Sequence, residues 1–242
     1  MLATEKGGLP LYMQVKALFI GKISQGEWLP GSIIPSEISL SRDLGVSQGT
    51  VRKAITDLVE TNVLRRKQGR GTFVSNHDSN RALFHFFHIV DDKGHKVLPD
   101  SQVLSCRSSK ASRHARDKLQ LDTTDRVIRI ERVRSIASVP TIVESIILPE
   151  KRFEALGQEP DCDLPNTLYE YYENRFNVTI HSSEEGLRAI SASKRDAKLL
   201  DLSVGTPLLE IERIALTLDK IPVEMRISRC STKSHHYENT IF

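Results

Sequence analysis

Cysteines are few in this chain, and their spacing forms no pattern. Cys106, Cys162 and Cys230 are odd in number and lie outside any CxxC spacing, so a disulfide framework and a zinc site are disfavoured and free thiols are expected. No apolar run approaches the roughly 20 residues that a membrane-spanning helix needs, and residues 1–12 lack the basic start and apolar core of a secretory leader. These absences predict a cytoplasmic protein with no membrane partner.

Residue patterns typical of catalysis are also missing. The sequence shows no nucleophile–base spacing, no metal-ligand cluster and no cofactor motif. His85 with His88, and His235 with His236, lack the neighbouring carboxylates or cysteines that a metal site would need. We therefore predict no catalytic residues, no metal and no cofactor.

The charge of the chain is unevenly distributed. Its 242 residues carry a net charge of +3, and 39% hydrophobic with 27% charged residues fits a folded protein of one large domain or two modest ones. Residues 1–76 contain ten Lys and Arg against six Asp and Glu, a net of +4, which leaves −1 for the rest. Basic charge concentrated in the N-terminal third is typical of a segment that binds nucleic-acid phosphates.

Three helices are predicted before residue 62. An apolar stripe over residues 11–26 indicates the first. Ser36 can cap a second helix that ends at Leu44, where Gly45 supplies a left-handed turn, and Ser47 can cap the third. The apolar positions of the third helix fall on one face, which must pack inward: Val51, Ala54, Ile55, Leu58 and Val59.

The opposite face of the third helix carries small and polar residues near its N-terminus. Such residues allow close approach to base edges, and an arginine there can bind guanine or phosphate. Residues 63–67 and 72–74 then indicate two strands joined by a glycine-containing tip that suits the minor groove. The predicted DNA-binding residues are Gln48, Gly49, Thr50, Arg52 and Lys53 on the helix, and Gln68, Gly69 and Arg70 on the wing tip.

These features resemble the N-terminal domain of the GntR family of bacterial transcription regulators. The resemblance covers residues 9–75, through the PSE start, the LGVS turn, the TVRKA helix and the QGRGTFV wing. Ile38 stands where relatives often carry Arg, and Gln48-Gly49 replaces a frequent Arg or polar pair, so operator sequences of better-known relatives do not transfer. The resemblance implies DNA contacts at Ser47, Gln48, Gly49, Thr50, Arg52 and Gly69.

Two later segments resemble each other. Residues 116–133 and 195–214 both open with a helical Arg-Asp segment, pass a polar turn and enter an Ile-Glu-Arg strand. The shared positions are Arg132, Pro140 and Glu144 in the first copy and Arg213, Pro222 and Glu224 in the second. Such a repeat predicts two related helix–strand–strand halves in one sheet, with a chance likeness of two amphipathic hairpins as the alternative.

Charges interrupt the apolar faces of two predicted strands. Because side chains alternate along a strand, Arg132 and Arg134 share a face with two isoleucines, and Glu144 lies between two others. A charge on such a face must be paired or must border a polar cavity, since burying it alone is costly. The three residues are therefore either a structural ion pair or the lining of a ligand site.

The region from residue 82 to 240 resembles the ligand-binding domain of the HutC branch of the same family, called UTRA. The motifs, in order, are RIERVRS, VESIILPE, NTLYEYYENRF, GTPLLEIER and IPVEMR. The resemblance implies an α/β domain similar to chorismate lyase that encloses a small-molecule effector. It implies effector contacts from Arg132, Arg134, Glu144, Tyr169 and Glu224, with the loop of His85, Phe86 and Phe87 on one side and Tyr237 near the other.

The same loop indicates which kind of effector to expect. Sugar-phosphate-binding relatives tend to carry Ser or Thr there, whereas this chain has LFHFFH, which favours a ligand with an apolar or aromatic portion. The guanidinium forks of Arg132 and Arg134 suit a carboxylate or a phosphate. We expect a small anionic metabolite.

Together these patterns predict an α+β chain. Its expected domains are a winged helix-turn-helix at residues 1–76, a linker at 77–82 and a mixed α/β effector-binding and dimerisation domain at 83–242. The predicted function is a homodimeric repressor that leaves a palindromic DNA operator when the effector binds. Alternatives are an effector-dependent activator or co-repressor-type regulator and, from the lyase-like fold, an enzyme.

Overall fold

The computed structural model describes residues 9–76, 86–158 and 164–239. The chain divides into two units, Met1–His77 and Asp78–Phe242, each of which is described by itself. The predicted linker at 77–82 lies outside the described residues.

Helices and a hairpin follow one another in the N-terminal unit. They are α1 (Leu11–Ser24), α2 (Glu37–Leu44), α3 (Gln48–Glu60), β1 (Leu64–Lys67) and β2 (Gly71–Val74). The hydroxyls of Ser36 and Ser47 cap α2 and α3, each accepting a backbone N–H at 3.2 Å. Gly45 ends α2 with a φ of +64°, a conformation that favours glycine. The predicted winged helix-turn-helix is confirmed.

The core of this unit lies between α1 and α3. Its buried side chains include Val15, Phe19, Val51, Ala54, Ile55 and Leu58, and full burial of one large apolar side chain contributes about 1.5–3 kcal/mol. Ile33 forms an isolated antiparallel β-bridge with Phe73 of β2, so a single residue pairs with β2 in addition to β1. Gly71 has a φ of +110°, and an added Cβ would lie 2.9 Å from Ile33 Cδ1, so β2 requires glycine at its start.

An antiparallel sheet forms the frame of the C-terminal unit. Its elements are β3 (Ile89–Asp91), β4 (Asp100–Lys110), α4 (Arg113–Leu119), β5 (Arg126–Ile136), β6 (Val139–Pro149), short 3-10 turns at Glu150–Arg152 and Glu154–Gln158, α5 (Leu168–Phe176), β7 (Ser182–Ser191), α6 (Lys194–Leu200), β8 (Pro207–Leu216), β9 (Pro222–Ser231) and β10 (His235–Tyr237). Six strands pair in the order β4-β5-β6-β9-β8-β7, and β10 pairs separately with β3. The helix and strand content confirms the predicted α+β class.

The sheet order shows that the sequence repeat is also a structural repeat. The run β4–α4–β5–β6 recurs as β7–α6–β8–β9, and β6 meets β9 at the centre of the sheet. Ser112 and Ser193 cap the two helices, and Gln120 and Asp201 end them in the left-handed conformation. The predicted related halves are confirmed, and each half contains one more strand than expected.

The strand register contradicts one expected correspondence between the two halves of the repeat, that of Glu144 with Glu224. Arg132 of β5 lies opposite Glu144 of β6, whereas Arg213 of β8 lies opposite Arg226 of β9. The counterpart of Glu144 is therefore Arg226, not Glu224. Matching Glu144 with Glu224 was wrong because the hairpin turn between β8 and β9 is longer than the one between β5 and β6.

Helices cover both faces of the sheet. Helix α5 packs Leu168 and Tyr172 against Ile128, Ile130 and Ile146. On the other face, α4 and α6 pack against alternate residues of the same strands: Val127 and Ile147 for α4, Val133 and Val143 for α6. Since side chains alternate, the charged residues of β5 and β6 that share a face with Ile128 and Ile146 lie on the α5 side.

The sequence predicts free cysteine thiols and no membrane-spanning helix. Cys230 is a buried free thiol, whereas Cys106 is disulfide-bonded and Cys162 lies outside the described residues. The expectation of a free thiol is wrong for Cys106, because the spacing of cysteines along the chain does not determine whether a thiol is oxidised. No helix in the described ranges is long and apolar enough to span a bilayer.

Candidate functional site

The predicted DNA-contact residues lie on the surface of the N-terminal unit. Those exposed are Ser47, Gln48, Gly49, Arg52 and Lys53 at the start of α3 and Gln68, Gly69 and Arg70 at the hairpin tip, and Thr50 is half-buried. The Ser47 hydroxyl lies 2.9 Å from the Thr50 hydroxyl, so both also hold the start of the helix. We call this set the recognition surface. Its small and polar side chains leave room for base edges.

A carboxylate that sequence reasoning missed lies beside the recognition surface. Glu37, the first residue of α2, accepts a hydrogen bond from Arg52 Nε at 2.8 Å, and its other oxygen lies 3.6 Å from Arg66 Nη2. Arg66 also donates to the Thr56 hydroxyl at 3.1 Å. One carboxylate therefore connects α2, α3 and β1.

Lys53 is engaged within the unit. Its ammonium lies 3.9 Å from the centroid of the Tyr12 ring of α1, a cation–π distance. A phosphate contact by Lys53 would therefore have to compete with this internal contact.

A cavity in the C-terminal unit gathers most of the predicted effector residues. It encloses about 660 Å³ of empty space, part of it open to solvent. Its polar lining includes Arg132, Arg134, Glu144, Asn166, Arg213, Arg226 and Ser228. Its apolar lining includes Phe86, Phe87, Ile89, Ile142, Leu168, Tyr169 and Ile211, with Cys230 and Tyr237. A mostly apolar cavity with a few convergent polar groups is typical of a small-molecule site.

Glu144 lies at the centre of the arginine group. Its Oε2 accepts a hydrogen bond from Arg132 Nε at 2.5 Å, and its Oε1 accepts one from Ser228 Oγ at 3.2 Å. The Nη1 atoms of Arg134 and Arg226 approach Oε1 to 3.7 and 3.8 Å. The two predicted alternatives, an ion pair and a cavity lining, are both present in the same residues.

Glu224 lies behind the cavity wall rather than in it. Fully buried, it accepts two hydrogen bonds from Arg226, at 2.9 and 2.8 Å. The hydroxyls of Tyr169 and Tyr172 donate to its two oxygens at 3.1 and 2.9 Å. The implied direct effector contact of Glu224 is not supported by this geometry, because all its neighbours are internal. It holds Arg226 and Tyr169 in place.

Arg213 joins the sheet to the segment that contains Phe86. Its Nε donates to Glu185 at 2.6 Å, and its Nη2 donates to the backbone carbonyl of Phe86. Glu185 also accepts a hydrogen bond from the Tyr237 hydroxyl. The cavity wall is thus closed by contacts among β7, β8, β10 and residue 86.

Arg134 has a different set of partners. Its Nε donates to Ser101 Oγ at 3.2 Å, and its Nη2 donates to Asn166 Oδ1 at 3.1 Å. The amide of Asn166 is itself held by a hydrogen bond to the Pro99 carbonyl at 2.6 Å. The guanidinium lies 5.1 Å from the Phe87 ring centroid.

Burial and neighbouring charges shift the pKa values of these groups. Burial acts to raise the pKa of the Glu144 carboxyl, but the surrounding guanidinium groups, Arg132 first, hold it well below its usual range. Burial also lowers the pKa of Arg134 to about 9, and Glu144 only partly offsets this. A guanidinium stays protonated in proteins, so the lowered pKa indicates a buried cation with too little opposing charge. Burial, together with the charge of Glu224, raises the pKa of Tyr169 to about 12.

Most residues of the predicted effector site meet at this cavity. Phe86, Phe87, Arg132, Arg134, Glu144, Tyr169 and Tyr237 line it, and His85 lies outside the described residues. The prediction missed Asn166, Arg213, Arg226 and Ser228. The repeat carried a signal for Arg213, since it occupies the position of Arg132 in the second copy. The others become neighbours only through long-range pairing.

Fold and site together define a class of protein: a DNA-binding winged helix joined to a domain with a cationic small-molecule cavity. A family model described as "Bacterial regulatory proteins, gntR family" matches residues 11–74, and one described as "UTRA domain" matches residues 94–236. The chain belongs to the GntR family of bacterial regulators and contains a UTRA domain. It is a DNA-binding transcription regulator, and its family is one of regulators rather than enzymes.

Named relatives agree with this assignment. The mannosyl-D-glycerate transport/metabolism system repressor MngR of Escherichia coli K12 is 31% identical over 84% of each chain. The histidine utilization repressor of Pseudomonas putida is 30% identical over 86% of this chain and 83% of its own. Among solved structures, the ligand-binding domain of a GntR-family regulator from Bordetella bronchiseptica is 30% identical, with a TM-score of 0.62 over 65% of this chain and 98% of its own.

Proposed function

We propose that this chain is a homodimeric repressor that binds a palindromic operator and is released when a small anionic metabolite enters the cavity. The observation that carries the proposal is the convergence of Arg132, Arg134, Arg213 and Arg226 on one partly open cavity, in a chain whose other unit is a winged helix. Guanidinium groups at this density suit an anionic ligand.

DNA recognition would take place through the recognition surface. The start of α3 enters the major groove, where Arg52 and Gln48 can reach base edges, and the tip at Gly69 and Arg70 follows the minor groove. A dimer places two such units on half-sites about one helical turn, ~10 bp, or a multiple of that apart. The symmetry of the operator follows from that of the dimer.

The nature of the effector is supported by the cavity and by the names of relatives. MngR is named for mannosyl-D-glycerate and the Pseudomonas putida protein for histidine utilization, and both compounds carry a carboxylate. In this chain Phe86 and Phe87 also line the cavity, which suits a ligand with an apolar portion. A difference of about 1–3 kcal/mol in effector affinity between DNA-bound and free states is enough for control.

The test uses the full chain and DNA from upstream of its own gene. We expect a gel shift with two chains bound per operator, measured by light scattering of the complex. A screen of small organic acids by melting temperature should find a compound that stabilises the protein and weakens the gel shift, since a ligand at 100-fold its dissociation constant adds about 2.7 kcal/mol. Tighter DNA binding with that compound would indicate a co-repressor, and failure to bind any upstream DNA would contradict the proposal.

A further inference from the structure

We propose that Arg134 is the charge-selecting residue of the cavity and that the effector is a monoanion, a carboxylate on an apolar body, rather than a phosphate ester. This inference rests on the proposed role of the cavity as the effector site. The proposed function specifies only that the effector is an anion. This inference adds that its charge is −1 and that Arg134 is the residue that binds this charge.

Three of the four cavity arginines have a carboxylate of their own. Arg132 pairs with Glu144 at 2.5 Å. Arg226 forms a two-point contact with Glu224, and Arg213 pairs with Glu185 through its Nε at 2.6 Å. Each of these pairs is neutral as a unit, so none of them needs a ligand to balance its charge.

Arg134 is the exception. Its two hydrogen-bond partners, Ser101 and Asn166, are neutral, and Glu144 lies 3.7 Å from its Nη1 but is already bonded to Arg132. Among the described residues of the group, four arginines therefore face three glutamates, which leaves one positive charge. Arg134 is itself 3% exposed. A buried charge without a partner is costly, and a monoanion would neutralise it.

Three arginines beside Glu144 each have an Nη1 group that can donate to a ligand. Arg132 Nη1 is buried and has no hydrogen-bond partner in the described part of the chain. The Nη1 atoms of Arg134 and Arg226 lie 3.7 and 3.8 Å from Glu144 Oε1, beyond hydrogen-bond distance. These three nitrogens can still donate, which suits the two oxygens of a carboxylate. A phosphate dianion would reverse the sign of the cavity and leave a buried negative charge.

The first experiment compares Arg134→Met with Arg226→Met in the protein without ligand. The two arginines are matched, since both line the cavity, both stack on an aromatic ring at 5.1 and 5.3 Å, and both approach Glu144 equally. They differ in their hydrogen-bond partners: Arg226 donates to the carboxylate of Glu224, whereas Arg134 donates to the neutral groups of Ser101 and Asn166. We expect Arg134→Met to melt at or above the wild-type temperature and Arg226→Met to melt clearly below it. Equal losses in both variants would overturn the inference.

The second experiment varies the charge of the ligand's polar group while the aromatic body stays the same. The probes are benzoate, phenylacetate and 3-phenylpropanoate, with the matching phosphate monoesters and amides, at about pH 8, where a phosphate monoester with a second pKa of about 6 is a dianion. We expect the carboxylates to raise the melting temperature most and to lose about tenfold or more in affinity in Arg134→Met, as for one lost charged contact. Equal or larger shifts with the phosphates, or none with any carboxylate, would overturn it. Neither outcome affects operator binding, which tests the proposed function separately.

A second inference comes independently from the N-terminal unit. We infer that Glu37 is a positioning residue that holds Arg52 and Arg66 in the geometry that DNA requires. Its two oxygens face these two arginines at 2.8 and 3.6 Å, and its side chain is 22% exposed whereas that of Arg52 is 60% exposed. Holding a long, exposed arginine before binding lowers the entropy lost on contact with DNA.

Glu37 could act on DNA binding through its negative charge or by positioning Arg52, and the two roles predict opposite changes in DNA affinity when the carboxylate is removed. As a negative charge beside DNA phosphates, Glu37 would weaken binding, so its removal would tighten binding to every DNA sequence. As a positioning residue, its removal would loosen Arg52 and weaken binding to the operator alone. We expect Glu37→Gln to lower the ratio of operator to unrelated-DNA affinity by about tenfold, since one base contact contributes on that scale.

The control is Glu27→Gln, which removes a carboxylate of the same unit that pairs with Lys22 at 2.5 Å and is 51% exposed. It should leave the affinity ratio unchanged. Melting temperatures of both variants show whether the unit stays folded. An unchanged ratio in Glu37→Gln, or a uniform gain in affinity for all DNA, would overturn the positioning role.

Discussion

Replacing Arg52 with alanine is expected to weaken operator binding by about tenfold or more while leaving the fold intact. Arg52 lies on the exposed start of α3, and its guanidinium is held toward the recognition surface by Glu37. A bidentate arginine–base contact contributes about 1–3 kcal/mol of discrimination, and the variant also frees Glu37 to repel phosphates. The gel shift on the operator should therefore weaken by about tenfold or more.

Folding should change little in this variant, since exposed ion pairs contribute only about 0–1 kcal/mol. A matched control is Arg113→Ala in the C-terminal unit, whose side chain is 90% exposed and lies 3.9 Å from Asp117. It removes the same charge and should leave operator affinity unchanged. Wild-type affinity in Arg52→Ala would show that α3 does not enter the groove through this residue.

Glu144→Gln is expected to cause the largest loss of stability in the C-terminal unit. The substitution keeps the shape but leaves four cavity arginines facing the carboxylates of Glu185 and Glu224 alone. Arg132 loses its partner, and Arg134 loses the nearest negative charge, in a buried site. Removing one partner of a buried ion pair costs about 3–5 kcal/mol. Urea unfolding monitored by circular dichroism should show this as a lower midpoint with a similar slope.

The same carboxylate predicts how stability depends on pH. Because the pKa of Glu144 is lower in the folded protein than the ordinary value near 4.3, its stabilising effect is complete above that value and is lost as pH falls toward the folded pKa. The wild type should therefore lose stability between about pH 5 and pH 2 more steeply than Glu144→Gln.

Asp117→Asn provides the control for the Glu144 predictions. Its side chain is 68% exposed and lies 3.9 Å from Arg113, so its loss should cost less than about 1 kcal/mol. A Glu144→Gln variant no less stable than this control, or with the acid dependence of the wild type, would show that the arginine group does not depend on Glu144.

The DNA-binding unit could be predicted from sequence because its signals are local. Ser36 and Ser47 cap helices whose first N–H groups lie three residues away, and Gly45 forms the turn within the same stretch. The apolar stripe of α3 also repeats within a few turns. Each signal acts between near neighbours, so reading along the chain was sufficient. Glu37 and Arg52 are 15 residues apart, and no local pattern indicated their contact.

The lining of the arginine cavity was predicted only in part. Arg132, Arg134 and Glu144 could be predicted because they are charged residues on strand faces that are otherwise apolar. Arg226 was overlooked, since its register opposite Arg213 depends on the β8–β9 hairpin.

By itself the sequence determined the winged helix, the repeated halves of the sheet and the need for paired charges on β5 and β6. Only the tertiary structure decided which charges pair. In the structure Arg226 donates a hydrogen bond to Glu224, and Arg213 donates one to Glu185. The hydrogen-bond partners of Arg134 are the neutral residues Ser101 and Asn166. The physical reason is that helix caps and periodic faces depend on neighbours in the chain, whereas the balance of buried charge depends on every group that the sheet brings into one cavity.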